Sequence, residues 1–252
     1  MIEIDCLQGT AEWHEARMGK PTASQFHRIL TPKTRRPAAG AKTYLHELLA
    51  EYLLGKPLGE MIGTGFMQRG SEMEADAVRY YEFQREPTRE VGFVLLDGWS
   101  LPGGDPLGEF DHCFEAVGCS PDRLVGEDGG LEIKCLSAAN HVAGLLERPT
   151  QYDLQVQGSM WVTGRKWWDL LLYNPELPSI IVRLERDEDL IKALRNAVGQ
   201  FVENLLKCRE RLREYKIQDP MDELFPERVE SAAEPVLSEA SRPPATGDGI
   251  PY

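Results

Sequence analysis

The chain has 252 residues, 42% of them hydrophobic, and a formal net charge of −13. It carries no apolar run long enough to span a bilayer and no charged-then-apolar leader, so a soluble intracellular protein without membrane association is expected. Its five cysteines, odd in number and irregularly spaced, fit reduced thiols rather than a disulfide framework.

The first expected helix is Gln8 to Gly19, with Thr10 as its cap and Gly19 as its stop. Pro21 to Leu30 follows as a second helix, capped by Thr22, whose start offers free N–H groups to an anion near Ser24. Thr31 to Lys42 reads as a proline-containing, basic, mobile connection. Between Ala16 and His46 stand seven basic residues and no acidic one. That local surface can face DNA on an otherwise acidic protein, or simply be solvated. Tyr44, Leu45, Leu48, Leu49, Tyr52 and Leu53 make the apolar stripe of a third helix, ended by Gly55.

Phe66 to Arg85 is the next helix. Ala77, Val78 and Tyr81 mark its buried face, and Glu74 lies four residues before Val78 on that same face. An inward carboxylate is costly unless it is paired or holds a metal, and a salt bridge to an arginine would serve as well. Val91 to Leu96 reads as an apolar strand and Gly98 to Phe110 as a loop rich in glycine and proline.

Next comes Cys119-Ser-Pro-Asp-Arg-Leu-Val-Gly-Glu-Asp-Gly-Gly-Leu-Glu-Ile-Lys-Cys135. Gly126 to Gly130 reads as a hairpin turn between the strands Arg123 to Val125 and Leu131 to Lys134. A symmetric turn pairs Val125 with Leu131, Leu124 with Glu132 and Asp122 with Lys134. Asp122, Glu132 and Lys134 then share one face, an arrangement that a one-residue slip would undo. Few hard oxygen ligands suit Mg²⁺ or Mn²⁺, and a lysine can offset charge in a phosphoryl transition state. The pattern resembles the Pro-Asp…Glu-x-Lys signature of the PD-(D/E)XK nucleases. The hairpin taken by itself fits a surface turn with solvated charges equally well.

Thr150 to Val162 reads as a helix carrying Gln155 and Gln157, closed by Gly164. Trp167 to Tyr173 and Ile180 to Leu184 are expected strands, and Asp187 caps a long last helix ending near Tyr215. From Pro220 onward, six prolines and few large apolar residues predict a disordered tail. From Ile217 onward there are eight acidic and two basic residues, so this tail holds much of the negative charge. The expected organisation is one α/β domain over 1–216 (helices 10–55, catalytic core 64–215) around a central mixed sheet, with a tail over 217–252.

Taken together, the segments resemble the lambda-exonuclease family, also called YqaJ-type viral recombinase nucleases. The resemblance runs from about Leu7 to Leu206. It rests on Trp13-His-Glu-Ala-Arg-Met-Gly19, Thr22-Ala-Ser24, Gly70-Ser-Glu-Met-Glu-Ala-Asp-Ala77, Cys119-Ser-Pro-Asp122, Leu131-Glu-Ile-Lys-Cys135 and Gln155-Val-Gln-Gly-Ser-Met-Trp161. It implies a restriction-endonuclease-like core and a Mg²⁺-dependent (or Mn²⁺-dependent) 5′→3′ exonuclease using two ions. Asp122, Glu132 and the Ile133 carbonyl would be metal ligands, Glu74 a further acid beside them, and Lys134 the group that positions water. A terminal 5′-phosphate would fall to Arg17, Ser24, Ser120 and Gln155, with Gln157 as an additional candidate. The resemblance further implies duplex DNA ends as substrate and 3′ overhangs passed to a single-strand annealing protein. It implies a homotrimeric ring, encoded by a phage or prophage and acting in a bacterial cytoplasm. Two features depart from the family pattern: Arg123 follows Asp122 where relatives often have glycine, and the segment Gly98 to Cys113 is longer.

Competing readings are an endonuclease of the same fold and a non-enzymatic DNA-binding module, which leaves the hairpin unexplained. A zinc site from His112, Cys113, Cys119, Cys135 and His141 lacks any Cys-x-x-Cys pair, and an iron–sulfur nuclease lacks four clustered cysteines.

Overall fold

The computed structural model describes residues 1–58, 65–96 and 117–217; of residues 65–72 and 214–217 the backbone alone is described. The expectations for Gly98 to Phe110, the segment reaching Cys113, His112 and the tail beyond Pro220 lie outside the described residues. A compact unit runs from Met1 to Glu210, and the described part of the second unit, from Arg211, is helical.

The elements in order are β1 (Ile2–Ile4), α1 (Ala11–Arg17), a 3-10 helix (Ala23–Arg28), α2 (Ala41–Leu54), α3 (Gly65–Gln84), β2 (Thr88–Arg89), β3 (Phe93–Leu95) and β4 (Gly118–Cys119). They continue with β5 (Arg123–Val125), β6 (Gly129–Cys135), α4 (Ala138–Leu146), α5 (Asp153–Thr163), β7 (Trp167–Tyr173), β8 (Ile180–Glu185) and α6 (Glu188–Ile217). Helix α4 and the short strands β1, β2 and β4 were not expected from the sequence.

A five-stranded mixed sheet has the order β2-β5-β6-β7-β8, in which β6 and β7 are parallel and the other pairs antiparallel. The parallel pair needs a crossover, and α4 and α5 supply it. A second, three-stranded sheet of order β1-β3-β4 lies beside it in sequence. Central strands covered on both faces become almost continuously apolar, and Trp168 to Leu172 of β7 are all buried. One sheet face packs Val125, Leu131, Ile133 and Leu171 against Ala77, Val78 and Tyr81 of α3. The other receives α5, every residue of which from Val156 to Thr163 is buried, as befits a helix enclosed on all sides. Gly158 lets Phe26 of the 3-10 helix press on to α5: a Cβ there would lie 2.5 Å from the ring.

Several local expectations need correction. The segment after Pro21 is a 3-10 helix of six residues, and Thr22 makes no side-chain cap bond. The anion-favouring dipole expected near Ser24 therefore has no α-helix to supply it. Thr31 to Gly40 is folded back rather than mobile: Thr31 N–H donates to Arg36, Ala38 N–H donates to Ile29, and Leu30 bridges Pro37.

The hairpin register also differs. Arg123 pairs with Leu131, Leu124 with Gly130 and Val125 with Gly129, two residues away from the symmetric turn. The reason lies in β7. Gly129 and Gly130 are strand residues, not turn residues, and a Cβ on them would lie 2.1 Å from the Trp167 ring and 2.3 Å from the Trp168 ring. Only Gly126 takes the positive φ, at 50°. The Arg165 guanidinium fixes this short turn by donating to the carbonyls of Val125, Gly126 and Gly129. Because the shift is even, every side chain keeps its expected face.

Candidate active site

The ladder between β5 and β6 stops at Arg123, and the next position out carries a carboxylate. Asp122 Oδ2 accepts from the Ile133 N–H at 2.6 Å, so the side chain replaces a strand partner. The N–H and C=O of one strand residue point to the same edge, so the Ile133 carbonyl opens toward Asp122 as well. Extending the observed register by one residue sets Asp122 level with Glu132.

Glu132 projects from β6 toward α5 and is 2% exposed. Its Oε1 accepts from Lys134 Nζ at 2.6 Å and from Gln155 Nε2 at 2.6 Å. Its Oε2 is buried with no hydrogen-bond partner. Lys134 stands two residues on, hence on the same face, and its Nζ also reaches Gln155 Oε1 at 3.3 Å. The Tyr152 ring flanks that ammonium at 4.9 Å. Strand and helix thus hold a carboxylate, an ammonium and an amide in one hydrogen-bonded group.

The electrostatics are strained in one direction. Burial pushes the Asp122 carboxyl well above its ordinary value, and the Glu132 charge pushes the same way against the Ile133 N–H. Burial also raises Glu74; Arg123 opposes the shift and Glu132 adds to it. Burial pulls the Lys134 ammonium down, but the Glu132 charge and hydrogen bond outweigh it and the net shift is upward. Three carboxylates therefore sit within electrostatic reach of one another, with Lys134 and the Glu90-paired Arg123 as the nearby cations.

An orphaned carboxylate oxygen beside a carboxyl that resists ionisation is the signature expected of a cation site. Among the described residues no three His, Cys, Asp or Glu side chains converge closely enough to form a metal cluster by themselves. That suits a hard cation which takes few protein oxygens and fills the rest of its shell from water and phosphate. Asp122, Glu132 and the Ile133 carbonyl are such a donor set, so the residues fit Mg²⁺ or Mn²⁺. Zinc is not favoured: Cys119 is buried, and buried His141 is engaged with the Pro178 carbonyl at 2.9 Å.

A second polar group begins one residue from Cys119. Arg17 Nη1 donates to Ser120 Oγ at 2.6 Å, and Nη2 reaches Thr22 Oγ1 at 3.5 Å. Thr22 Oγ1 in turn meets Ser24 Oγ at 3.3 Å. The Trp13 indole N–H donates to Ser120 Oγ at 2.9 Å, while the guanidinium lies 4.2 Å over the Trp13 ring. Burial is the main influence on Arg17 and lowers its pKa. No carboxylate pairs with it among the described residues, so its charge is open to an anion.

The profile of the YqaJ-like viral recombinase domain matches residues 12–166. The chain belongs to that family. Among solved structures, the alkaline exonuclease LHK-Exo from Laribacter hongkongensis is 30% identical, with a TM-score of 0.69 over 83% of this chain and 99% of its own. The same enzyme in complex with dAMP is 31% identical, with the same TM-score and coverage. A phage-related exonuclease from Haemophilus somnus 129PT is 18% identical; its TM-score of 0.50, over 75% of this chain and 95% of its own, reflects a shared fold. A comparison with curated proteins found no match.

Every site residue expected from the sequence lies inside the YqaJ match. The structure brings Asp122, Glu132, Lys134 and Ile133 together, with Glu74 within electrostatic reach. It gathers Arg17, Ser120 and, through Thr22, Ser24. Gln155 hydrogen-bonds to the Glu132–Lys134 pair rather than to the Arg17 group. Gln157 is a correction. Two residues along a helix face away from each other, and both ends of its amide are used structurally, by the Glu185 carbonyl and the Asp187 N–H. Sequence reasoning gave no site role to Trp13 or Tyr152, and to Thr22 only that of a helix cap. Tyr152 was accessible in principle, since it stands three residues before Gln155 and so shares its face.

Proposed function

We propose that this nuclease is a Mg²⁺-dependent exonuclease that resects linear double-stranded DNA from its 5′ ends. Its nuclease class rests on the family match and on the likeness to the alkaline exonuclease. The observation that carries the finer reading is the buried, unpartnered Glu132 Oε2 next to Asp122, a place made for a cation. Asp122, Glu132 and the Ile133 carbonyl would hold the ion, or the first of two, with Glu74 beside them. When bound, the ion withdraws charge from the phosphoryl oxygen and eases deprotonation of water.

The remaining work falls to the chain's own groups. Lys134, held by Glu132 and Gln155, presents an ammonium where negative charge grows on the phosphate, at a point of low solvation. Gln155 fixes both partners and sets their spacing. Arg17, with the hydroxyls of Ser120, Thr22 and Ser24, offers charge-assisted and neutral donors to a terminal 5′-phosphate. Ser120 lies two residues before Asp122, which keeps terminus recognition close to the cleaved bond.

In this reading the product is a 3′ single strand, used by an annealing protein in phage-type recombination, and the enzyme works as a homotrimeric ring in the cytoplasm of a bacterial host. End-labelled linear duplex and a closed circle of the same sequence, each with Mg²⁺ or with chelator, test the activity. Mononucleotides should be released from the linear form alone, from 5′-labelled strands first, and only with the metal. Cutting of the closed circle would refute the exonuclease reading in favour of an endonuclease.

A further inference from the structure

Beside the candidate active site lies a cavity of about 370 Å³, within the range of small-ligand pockets, that the chemistry above does not use. Its wall includes Leu136, Asn140, Ala143, Pro149, Gln151 and Tyr152. The turn that forms it is held in place before any ligand arrives. Glu147 N–H donates to Ala143, Asp153 N–H to Thr150, and Arg148 clamps Asp153 through two bonds of 2.6 and 3.0 Å. Tyr152 belongs both to this wall and to the surroundings of Lys134, whose Nζ lies 4.9 Å from its ring. Leu136 follows Lys134 by two residues. The cavity and the Lys134 ammonium therefore have the Tyr152 side chain as a common neighbour.

We propose that this cavity receives the nucleobase next to the scissile phosphate, making Tyr152, Asn140 and Gln151 a base-binding subsite. The proposal rests on the nuclease reading and adds a contact to the base where that reading uses only phosphates. The lining has the chemistry for it. A planar ring and the apolar sides of Leu136, Ala143 and Pro149 suit the faces of a base. Each amide of Asn140 and Gln151 carries both donor and acceptor, so the edges of all four bases can be accepted. Stacking on an aromatic ring is likewise tolerant of sequence, as an enzyme that digests arbitrary DNA requires. Once its base is seated, the strand cannot slide along Lys134, and the phosphate is held in register for cleavage.

The test compares single-turnover cleavage of duplex ends carrying a normal nucleotide or an abasic sugar at either position flanking the scissile phosphate. Wild-type enzyme should cut the normal end faster by roughly 5- to 150-fold, the span of one base–aromatic stack. Tyr152→Ala should remove that ratio and Tyr152→Phe should keep it. Ala143→Trp, which places a bulky side chain in the lining from α4, should also remove it. Equal wild-type rates on normal and abasic ends would overturn the subsite. So would a Tyr152→Ala enzyme slowed equally on both with its ratio intact, since Tyr152 would then only support Lys134. A calorimetric comparison of dAMP with 2-deoxyribose 5-phosphate decides the subsite independently of turnover. Tighter binding of dAMP, lost in Ala143→Trp, supports it, and equal binding overturns it. Absence of cleavage on every substrate would instead count against the nuclease reading.

Discussion

Replacing Arg183 by methionine should destabilise the fold by about 3 kcal/mol, because it strands a buried charge. Asp169, on β7, is 1% exposed. Its Oδ1 accepts from Arg183 Nε at 2.8 Å, and its Oδ2 accepts from Arg183 Nη2 at 2.8 Å and Tyr81 OH at 2.7 Å. Methionine keeps most of the stem but leaves the carboxylate with one donor, a loss worth about 3–5 kcal/mol in a closed interior. The Arg183 side chain is 43% exposed, so water reaches the gap and the lower end applies. The guanidinium also lies 3.5 Å over Trp167, a contact worth about 0.5–1 kcal/mol at an open site. Urea unfolding followed by intrinsic tryptophan fluorescence and far-UV circular dichroism gives the value. Adding Asp169→Leu and Tyr81→Phe removes every stranded polar group and should recover most of the loss. A single variant costing under about 1 kcal/mol, or a triple variant as unstable as the single, would refute the reasoning. Because Tyr81 stands two turns after Glu74 on α3, the restored triple variant also shows whether this network positions that carboxylate.

Three further outcomes are expected. In chelator, Asp122→Asn should unfold at a higher temperature than wild type. An acid whose folded pKa lies above its unfolded value costs stability at every pH above the unfolded value, and asparagine can still accept from Ile133. Excess Mg²⁺ should shrink or reverse that difference by stabilising wild type selectively, and equal melting with and without metal would remove Asp122 from the proposed ligand set. Lys134→Ala should lower kcat by about 100- to 1000-fold with little change in DNA affinity; a loss confined to affinity would make the lysine a phosphate anchor. Wild type should digest 5′-phosphorylated ends faster than 5′-hydroxyl ends, and Arg17→Ala should cancel a preference of about ten- to hundredfold; equal wild-type rates on the two ends would leave the Arg17 group without its proposed ligand.

The parts of the fold legible in the sequence were those set by local rules. Gly55 and Gly164 end α2 and α5 in the left-handed conformation, Thr10 caps α1, and the Asp187 carboxylate accepts from Leu190 N–H at the start of α6. The face shared by Asp122, Glu132 and Lys134 was legible because strand parity survives any even error in register. The register itself was not, since it depends on Trp167 and Trp168, some forty residues away, needing space over Gly129 and Gly130. Helix α4 was missed for a related reason. Apart from His141 and Gly144 it buries nothing, and its large apolar residues Val142, Leu145 and Leu146 are exposed, so they do not mark the face that packs.

What no sequence pattern could show is how the site is unbalanced. Spacing predicts which carboxylates share a face, but not that Glu132 gives both of its donors to one oxygen and leaves the other bare. Nor does it show that Asp122 spends its Oδ2 on a backbone N–H. These choices follow from α5 crossing the sheet so that Gln155 meets Lys134 and Glu132 together. A protein selected for stability alone would place a second donor against Glu132 Oε2, or an apolar residue in its stead. On the proposed reading, the stability given up there would be recovered when a cation binds at the edge of β6, beside Lys134 and two residues along the chain from the Ser120 that Arg17 holds. If these residues carry the proposed chemistry, the site's instability and its catalytic geometry are one property, and variants that relieve the first are expected to abolish the second.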